Sequence, residues 1–293
     1  MAVDFYQIND LERLSGVKAH TIRIWEKRYE LITPHRTDTN IRYYDDKQLV
    51  KLLNVATLSS VGFRISKIAA MSDDELKSQL SLSQQKEKSD LKFEFYINDF
   101  IAAMIEFDEE AFNSLFDKII AEYGVEKALV YIVYPFLHKI GILWRIDQSM
   151  PVQEHFASML IKRKLYSLIS QLPKPTKSKK FLLFLPANEW HEVGLLFAEY
   201  IIRNNGFPTI NLGQNVPFID IEYTINKTEP DYLLAFLINN TNEEYVLKIQ
   251  HLLSSKFKKI DCLIAGNSLK FKLFEGLKNI RLLYSPNDIL QVF

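Results

Sequence analysis

Residues 189–194 read Glu-Trp-His-Glu-Val-Gly, and the rest of the chain is best understood outward from them. They follow the apolar run 181–185, which predicts a buried strand, and precede an apolar helical pattern that begins at Leu195. A histidine between a strand and a helix lies at the edge where open α/β sheets bind ligands. His191 is therefore a candidate ligand-binding residue, although a lone histidine beside an apolar strand more often has a structural role.

Downstream of this stretch, apolar strand candidates alternate with helical patterns. The strands are predicted near residues 181–185, 208–212, 232–238, 260–265 and 280–284. The helices are predicted near residues 192–204, 217–226, 242–255, 269–277 and 286–292. This alternation predicts a doubly wound, mostly parallel sheet.

Length and composition exclude several classes of protein. The 293 residues are enough for two or three domains, and 47% hydrophobic with 25% charged residues is ordinary for a globular chain. A net charge of zero names no partner, and the single cysteine, Cys262, excludes an internal disulfide framework or a cysteine-based zinc cluster. The sequence shows no signal peptide and no apolar run near the ~20 residues that span a bilayer, so we expect a cytoplasmic protein without a membrane partner.

The first 30 residues predict two short helices joined by a tight turn. Asn9 or Asp10 can cap the first helix, and Gly16 permits a left-handed backbone in the turn. The second helix is predicted from about Lys18 to Arg28. This is the layout of a helix-turn-helix, whose second helix lies in a groove of DNA.

A basic hairpin is predicted next, over residues 34–44, with Arg36 and Arg42 flanking a polar tip. A basic hairpin beside a recognition helix is a wing that can reach phosphates or the minor groove. A further helix is predicted to begin at Asp45-Asp46.

The middle of the chain, residues 90–172, has helical patterns whose lengths fit a four-helix bundle. Polar segments at 81–89 and 173–180 read as linkers on either side. Within the bundle, Trp144 is followed after nine residues by Glu154-His155. Taken singly, Trp144 is an ordinary core residue and Glu154-His155 a helix-surface pair.

The first 75 residues resemble the winged-helix domain of MerR-type transcription regulators. The resemblance is carried by 21–29, Pro34, 36–37 and 41–44, and the sequence Trp-Glu-x-Arg-Tyr at 25–29 is similar to the branch that carries cobalamin-binding domains. It implies double-stranded operator DNA, with an inverted repeat, as the partner. The residues implied in DNA binding are Lys18, His20, Thr21, Arg23, Trp25, Arg28, Arg36, Arg42 and Tyr43.

The spacing Glu189-x-His191-x-x-Gly194 resembles the Asp-x-His-x-x-Gly signature of flavodoxin-like (Rossmann-type) cobalamin-binding domains. The resemblance implies that His191 coordinates cobalt from below and that Glu189 hydrogen-bonds the other ring nitrogen, which fixes the tautomer. The implied cofactor-binding residues are Trp144, Glu154, His155, Glu189, His191, Gly194, Gly213, Asn239 and Gly266.

The spacing Trp-x9-Glu-His resembles the bundle of MerR-type cobalamin photoreceptors. It implies adenosylcobalamin, with Trp144 and Glu154 over the upper face against the 5′-deoxyadenosyl group. It also implies that His155 ligates cobalt from above after light breaks the cobalt–carbon bond. In such proteins the dark oligomer, a dimer or tetramer, represses transcription, and light releases the DNA.

Two positions depart from the pattern of the family. A Ser-x-Leu usually follows the third strand, and Ala235 stands at the expected serine. A Gly-Gly usually follows the fourth strand, and here the pair is Ala265-Gly266. Asn239 or Asn240 can replace the lost hydrogen bond. In the family these positions line the pocket for the nucleotide tail of the ligand, so the resemblance implies an altered tail pocket here.

We therefore predict a multidomain regulator with a winged helix-turn-helix at 1–75, a helical bundle that caps cobalamin at 90–172 and a cobalamin-binding domain at 181–293. One alternative is a regulator of the same build that no longer needs cobalamin and responds to a protein partner. Another is a corrinoid enzyme subunit, against which the winged helix argues. The sequence shows no nucleophile–base arrangement and no Gly-rich phosphate loop, so we do not predict an enzyme.

Overall fold

The computed structural model describes residues 6–86, 90–144, 151–237, 243–255, 257–266, 271–274 and 276–292. The chain divides into two compact units, Met1–Leu160 and Ile161–Phe293. Among the helices of these described ranges, none has the length and apolar character needed to cross a membrane.

The first unit begins with two helices, α1 (Ile8–Ser15) and α2 (Ala19–Tyr29), which confirm the predicted pair. The predicted cap of α1 was wrong, because the helix starts before Asn9 and Asp10. The Asp10 carboxylate instead accepts a hydrogen bond at 2.8 Å from the backbone N–H of Gln7, one turn earlier. Gly16 ends α1 with a left-handed φ of 72°.

The predicted hairpin forms two short antiparallel strands, β1 (His35–Arg36) and β2 (Arg42–Tyr43), with Arg36 opposite Arg42. Helix α3 (Asp46–Ser60) follows, capped by the Asp45 carboxylate, which accepts from the backbone N–H of Gln48 at 2.9 Å.

Helices α4 (Ile65–Ile68) and α5 (Asp73–Lys86) complete this part of the unit. The predicted linker 81–89 was wrong for residues 81–86, which continue α5, and residues 87–89 lie outside the described ranges. Ser72 and Glu75 start α5 with reciprocal hydrogen bonds, and Leu76, Ser83 and Gln84 are buried. A polar sequence thus forms a helix because its start is capped and one side is covered.

The helical prediction for the middle of the chain is confirmed. The helices are α6 (Asp90–Ile105), α7 (Glu109–Tyr123), α8 (Val125–Ala128), α9 (Tyr134–Trp144) and α10 (Pro151–Ser170), with a π-helical turn, Leu129–Val133, between α8 and α9. The Phe100 ring contacts those of Phe112 and Phe136 at centroid distances of 4.6 Å and 5.4 Å. Helix α3 packs on α6, where the buried Asn98 amide donates to the Thr57 hydroxyl at 2.6 Å.

The second unit contains a parallel sheet of five strands: β3 (Phe181–Phe184), β4 (Thr209–Asn211), β5 (Tyr232–Leu237), β6 (Asp261–Gly266) and β7 (Ile280–Leu283). Their order across the sheet is β4-β3-β5-β6-β7. Counted within the unit, this is the order 2-1-3-4-5 of flavodoxin-like folds, so the predicted fold is confirmed. After β3 the chain adds β4 on one side of β3 and then crosses to add β5 on the other side. This reversal of strand order places the switch point at the carboxyl ends of β3 and β5.

Helices cover both faces of the sheet. They are α11 (Glu192–Asn204), α12 (Phe218–Thr228), α13 (Glu243–Ser255) and the short C-terminal α14 (Pro286–Leu290). Leu233, Ala235 and Leu237 of β5 share a core cluster with α12 and α13, whereas the buried residues of α11 lie outside that cluster. The predicted helix 269–277 is only a 3-10 turn, Lys272–Phe274, in the residues described there.

Candidate functional sites

Helix α2 presents most of its predicted DNA-binding side chains to solvent. Lys18, His20, Arg23 and Arg28 are exposed, and Thr21 is partly exposed. Lys18 directly precedes the helix, and the other four residues lie along it. A nucleic acid docked on α2 would therefore meet mainly cationic and hydrogen-bonding side chains.

Trp25 was predicted among the DNA-binding residues, but it faces inward. It is only 8% exposed and shares the buried face of α2 with Ile22, which is fully buried. The two are three positions apart, the spacing that puts residues on one face of a helix. Trp25 therefore supports the recognition helix from behind and is not a surface contact.

Glu12 fixes the start of α2, a role the sequence analysis missed. Its carboxylate accepts from the backbone N–H of Ala19 at 2.8 Å and pairs with the Lys18 ammonium at 3.0 Å. The Ala19 N–H, and then Lys18, lower the pKa of Glu12. An acidic residue one helix upstream thus satisfies a backbone donor that α2 cannot satisfy itself.

The wing is fastened to α2 by Glu26. Its carboxylate accepts from the hydroxyl of the buried Tyr44, directly after β2, and lies 3.9 Å from the Arg42 guanidinium. Burial and then the Glu26 carboxylate raise the pKa of Tyr44, so the hydroxyl stays a donor. Arg42 remains exposed on the hairpin, as does Arg36.

The tip of the wing is ordered by its own side chains. Arg36 donates to the side chain of Asn40 at 2.6 Å, and Asn40 adopts a left-handed φ of 66°. Tyr43 is partly buried and stacks on the His35 ring at 5.2 Å, so only part of its surface is open.

In the second unit, Glu189 and His191 form the pair expected from the sequence. Glu189 is fully buried, and its Oε1 lies 2.5 Å from Nδ1 of His191. The same oxygen accepts from the backbone N–H groups of Trp190 at 3.0 Å and His191 at 3.3 Å. The His191 side chain is 33% exposed at the carboxyl edge of the sheet. The carboxylate thus fixes the ring from one side, as a metal-binding histidine requires.

Asn215, in the loop after β4, positions the loop that contains Glu189 and His191. Asn215 accepts from the backbone N–H of Asn188 at 2.9 Å through its side chain, and its own N–H donates to the carbonyl of Glu189 at 3.1 Å. Asn188 and Asn215 both adopt left-handed φ angles, 65° and 56°. Asparagine tolerates that conformation, which is the signal by which both could have been found.

Glu192, directly after His191, receives two groups from α10. The hydroxyl of Tyr166 donates to Oε1 of Glu192 at 2.8 Å, and the ammonium of Lys162 lies 3.8 Å from Oε2. Burial and then this hydrogen bond raise the pKa of Tyr166 to about 12. Sequence reasoning did not single out Lys162 and Tyr166, since both are far from Glu192 in the chain.

Two of the predicted glycines have steric reasons in the backbone. A Cβ on Gly266, whose φ is 122°, would lie 2.4 Å from the carbonyl oxygen of Leu237. Gly213 has a φ of 74° and lies against Glu192. Asn239 and Asn240 lie outside the described residues.

Gly194 shows which residue of β5 lies next to the start of α11, a position that the sequence analysis gave to Ala235. A Cβ there would lie 2.9 Å from the ring of Phe236. Ala235, taken as the site of the lost hydroxyl, belongs instead to the core cluster on the α12 and α13 side. The residue of β5 that faces α11 is therefore Phe236, because successive side chains of a strand point to opposite faces.

Of the predicted bundle residues, Glu154 and His155 are brought together at the start of α10. Nδ1 of His155 lies 3.7 Å from Glu154, whose other oxygen accepts from the Ser158 hydroxyl at 2.5 Å. The His155 side chain is 74% exposed, whereas that of Glu154 is 18% exposed. The backbone of Trp144 ends α9, and its side chain lies outside the described part of the chain.

Two family models match the chain. Residues 6–75 match the model described as MerR HTH family regulatory protein, and residues 96–169 match the model described as B12 binding domain. The predicted combination of a MerR-type DNA-binding segment with a B12-binding segment is thereby confirmed. The second match covers the helical region, and the sheet follows it.

Two curated relatives match over most of their length. The chain is 28% identical over 249 residues to the HTH-type transcriptional repressor CarH of Myxococcus xanthus, covering 84% of this chain and 83% of that protein. It is 26% identical to the repressor CarA of the same organism, covering 82% and 79%.

A solved structure has the same fold. It is the monomethylamine corrinoid protein of Methanosarcina barkeri, with a TM-score of 0.54 and 15% identity over 65% of this chain and 92% of that one.

Proposed function

Because the chain combines a MerR-type helix-turn-helix segment with a B12-binding segment, we propose that it is a cobalamin-controlled transcription regulator of the repressor class. The observation that carries the proposal is the Glu189–His191 pair at the carboxyl edge of a flavodoxin-like sheet, in the same chain as an exposed basic helix and wing. The named relatives are repressors rather than enzymes, which supports the same conclusion.

The residues at the sheet edge fit a cobalt ligand. With Nδ1 of His191 engaged by a buried carboxylate, Nε2 is the nitrogen that would coordinate the metal. The buried Glu189 also accepts two backbone N–H groups, so its position does not depend on the ligand. A preformed histidine of this kind loses little rotational freedom when it binds.

The finer proposal is that the ligand is adenosylcobalamin and that light is the signal. The bound cofactor would supply a cobalt–carbon bond that light can break. His155 is suited to respond, because its imidazole is exposed and Glu154 beside it favours an orientation. Trp144 would cover the adenosyl group. A ligand that binds one packing of the helices better than another shifts the population of the protein toward the better-binding packing. A homo-oligomer whose interface is built on these helices would then change its size.

The test compares wild type with His155→Ala, dark and illuminated. Wild type should bind adenosylcobalamin and operator DNA in the dark. In light it should release the DNA and dissociate into smaller species, as measured by size-exclusion chromatography. His155→Ala should behave like wild type in the dark but give a different absorption spectrum after illumination. His138→Ala removes an exposed imidazole from α9 and should match wild type throughout. A wild type whose size and DNA affinity ignore both cofactor and light would contradict the light mechanism.

The DNA-binding part is tested separately with Arg42→Ala. Loss of one phosphate contact should weaken binding by a similar factor on all DNA sequences. It should also reduce the slope of the logarithm of the binding constant against the logarithm of salt concentration by about one in magnitude. The measurement is fluorescence anisotropy with duplex DNA over a series of salt concentrations. Arg281→Ala, an equal charge change in the second unit, should leave affinity and slope unchanged; an Arg42→Ala slope equal to that of wild type would remove the wing from the interface.

One observation favours a second candidate, a regulator of this build controlled by a protein partner. Phe236 stands beside Gly194, where the family resemblance led us to expect a small polar residue nearby. If wild type binds no corrinoid, this second function becomes the better one. The DNA experiment above applies equally to both.

A further inference from the structure

The ring of Phe236 occupies the space between the sheet and the first turn of α11. Phe236 is the penultimate residue of β5 and is partly exposed. An ideal Cβ on Gly194 would lie 2.9 Å from Cε1 and 3.2 Å from Cδ1 of this ring. Real Cβ atoms do not approach so closely, so only a glycine at 194 allows the ring to stand where it does.

The neighbours of this ring are small. Phe236 pairs with Ala265 in the parallel register of β5 and β6, so the two side chains lie next to each other on the same face of the sheet. Gly194 faces the ring from α11. One large aromatic side chain thus fills a space that is bounded by a glycine and an alanine.

This space belongs to the crevice where the fold takes ligands. Open α/β sheets bind ligands outside the carboxyl ends of their strands at the switch point, which here lies at the ends of β3 and β5. Gly194 follows His191 by three residues, so the Phe236 ring and the proposed cobalt ligand flank the same first turn of α11.

A cobalamin has two parts that this crevice can distinguish. One is the corrin ring with its cobalt, and the other is a nucleotide tail that ends in a bulky aromatic base. If His191 held the cobalt, the base of the tail would have to be placed elsewhere. A base placed beside α11 would overlap the ring of Phe236, and such overpacking opposes binding.

We propose that Phe236 is a specificity residue that excludes the nucleotide tail from the crevice, so that the site selects the corrin ring and not the tail. This inference rests on the proposed function, since it needs a corrinoid bound through His191. The ligand class is then corrinoids, and those without a nucleotide tail bind more tightly than complete ones.

The experiment measures the ratio of two dissociation constants, that of adenosylcobalamin divided by that of adenosylcobinamide, which lacks the tail. Both are obtained in dim light by spectroscopic titration of full-length protein. For wild type the ratio should exceed one. Phe236→Ala should lower it by threefold or more, with about tenfold expected, because removal of the ring relieves the overlap only for the ligand that has a tail. A ratio cancels any general loss of folded protein.

Phe207→Ala is the matched control. It removes an aromatic ring of the same size at the amino-terminal edge of the sheet, where Phe207 contacts Phe181, and should leave the ratio unchanged. If Phe236→Ala does not fold by circular dichroism, Phe236→Leu replaces it with the same threshold.

Two outcomes overturn the inference: a wild-type ratio of one or less, or a folded Phe236 variant that lowers the ratio by less than threefold. Failure of the proposed function looks different, because wild type would then bind neither corrinoid.

Discussion

His191→Ala should reduce the affinity of the protein for adenosylcobalamin by about 100-fold or more. Loss of a residue that merely orients a metal ligand typically costs about 10–100-fold, and removal of the ligand itself should reach at least the upper end. In wild type, Oε1 of Glu189 lies 2.5 Å from Nδ1 of His191. No other imidazole can take the place of His191 in the loop, because no other histidine lies between residues 155 and 251. The dissociation constant and the absorption spectrum of the complex are measured together.

Two variants accompany this experiment. Glu189→Gln keeps the shape of the carboxylate but not its charge, and should cost about tenfold by weakening its hold on the His191 ring. His251→Ala removes an exposed imidazole from α13 of the same unit and should change neither affinity nor spectrum. If His191→Ala retained the affinity and spectrum of wild type, cobalt would not be bound through this residue.

Gly266→Ala should destabilise the sheet unit by roughly 3–5 kcal/mol. The φ of 122° is a conformation that only glycine adopts readily, and the added Cβ would lie 2.4 Å from the carbonyl oxygen of Leu237. Both penalties fall on backbone atoms that cannot rotate away. Such a loss is a large part of the stability of an ordinary domain, so the variant should be largely unfolded near body temperature.

Gly276→Ala isolates the steric part of that effect. Gly276 also has a positive φ, 82°, but a Cβ there would meet nothing within 4 Å. Its cost should be about 1–2 kcal/mol, the conformational penalty alone. Urea unfolding followed by circular dichroism compares the two midpoints. Equal shifts for the two variants would show that the close approach to Leu237 carries no energetic weight.

The sequence predicts the sheet unit well because its strands are short apolar runs separated by helical patterns. Helix α11 has the predicted bounds, 192–204, and each of the five strands lies within two residues of its prediction. The Glu189–His191 contact was predicted from the resemblance of the spacing Glu-x-His-x-x-Gly to a family signature, and the structure shows it. These features depend on local sequence and on one periodicity.

The errors come from features that local sequence does not determine. A shift of one residue reverses the face of every side chain in a strand, so Ala235 was placed where Phe236 stands. Trp25 was assigned to DNA by the family resemblance, although it lies on the buried face of α2 with Ile22. The contact of Tyr166 with Glu192 joins residues 26 positions apart, which no local pattern specifies.

The π-helical turn Leu129–Val133 keeps a stripe of buried side chains in phase along the helix that contains it. Ala128, Ile132, Phe136 and Ile140 recur every fourth residue and are all buried. In a regular helix each step of four advances about 40°, and three steps would rotate the stripe about 120° away from the core. A wider turn, with about 4.4 residues, falls short of a full circle and rotates the stripe back. One extra residue thus corrects the phase, so residues 128–140 keep a single contact face.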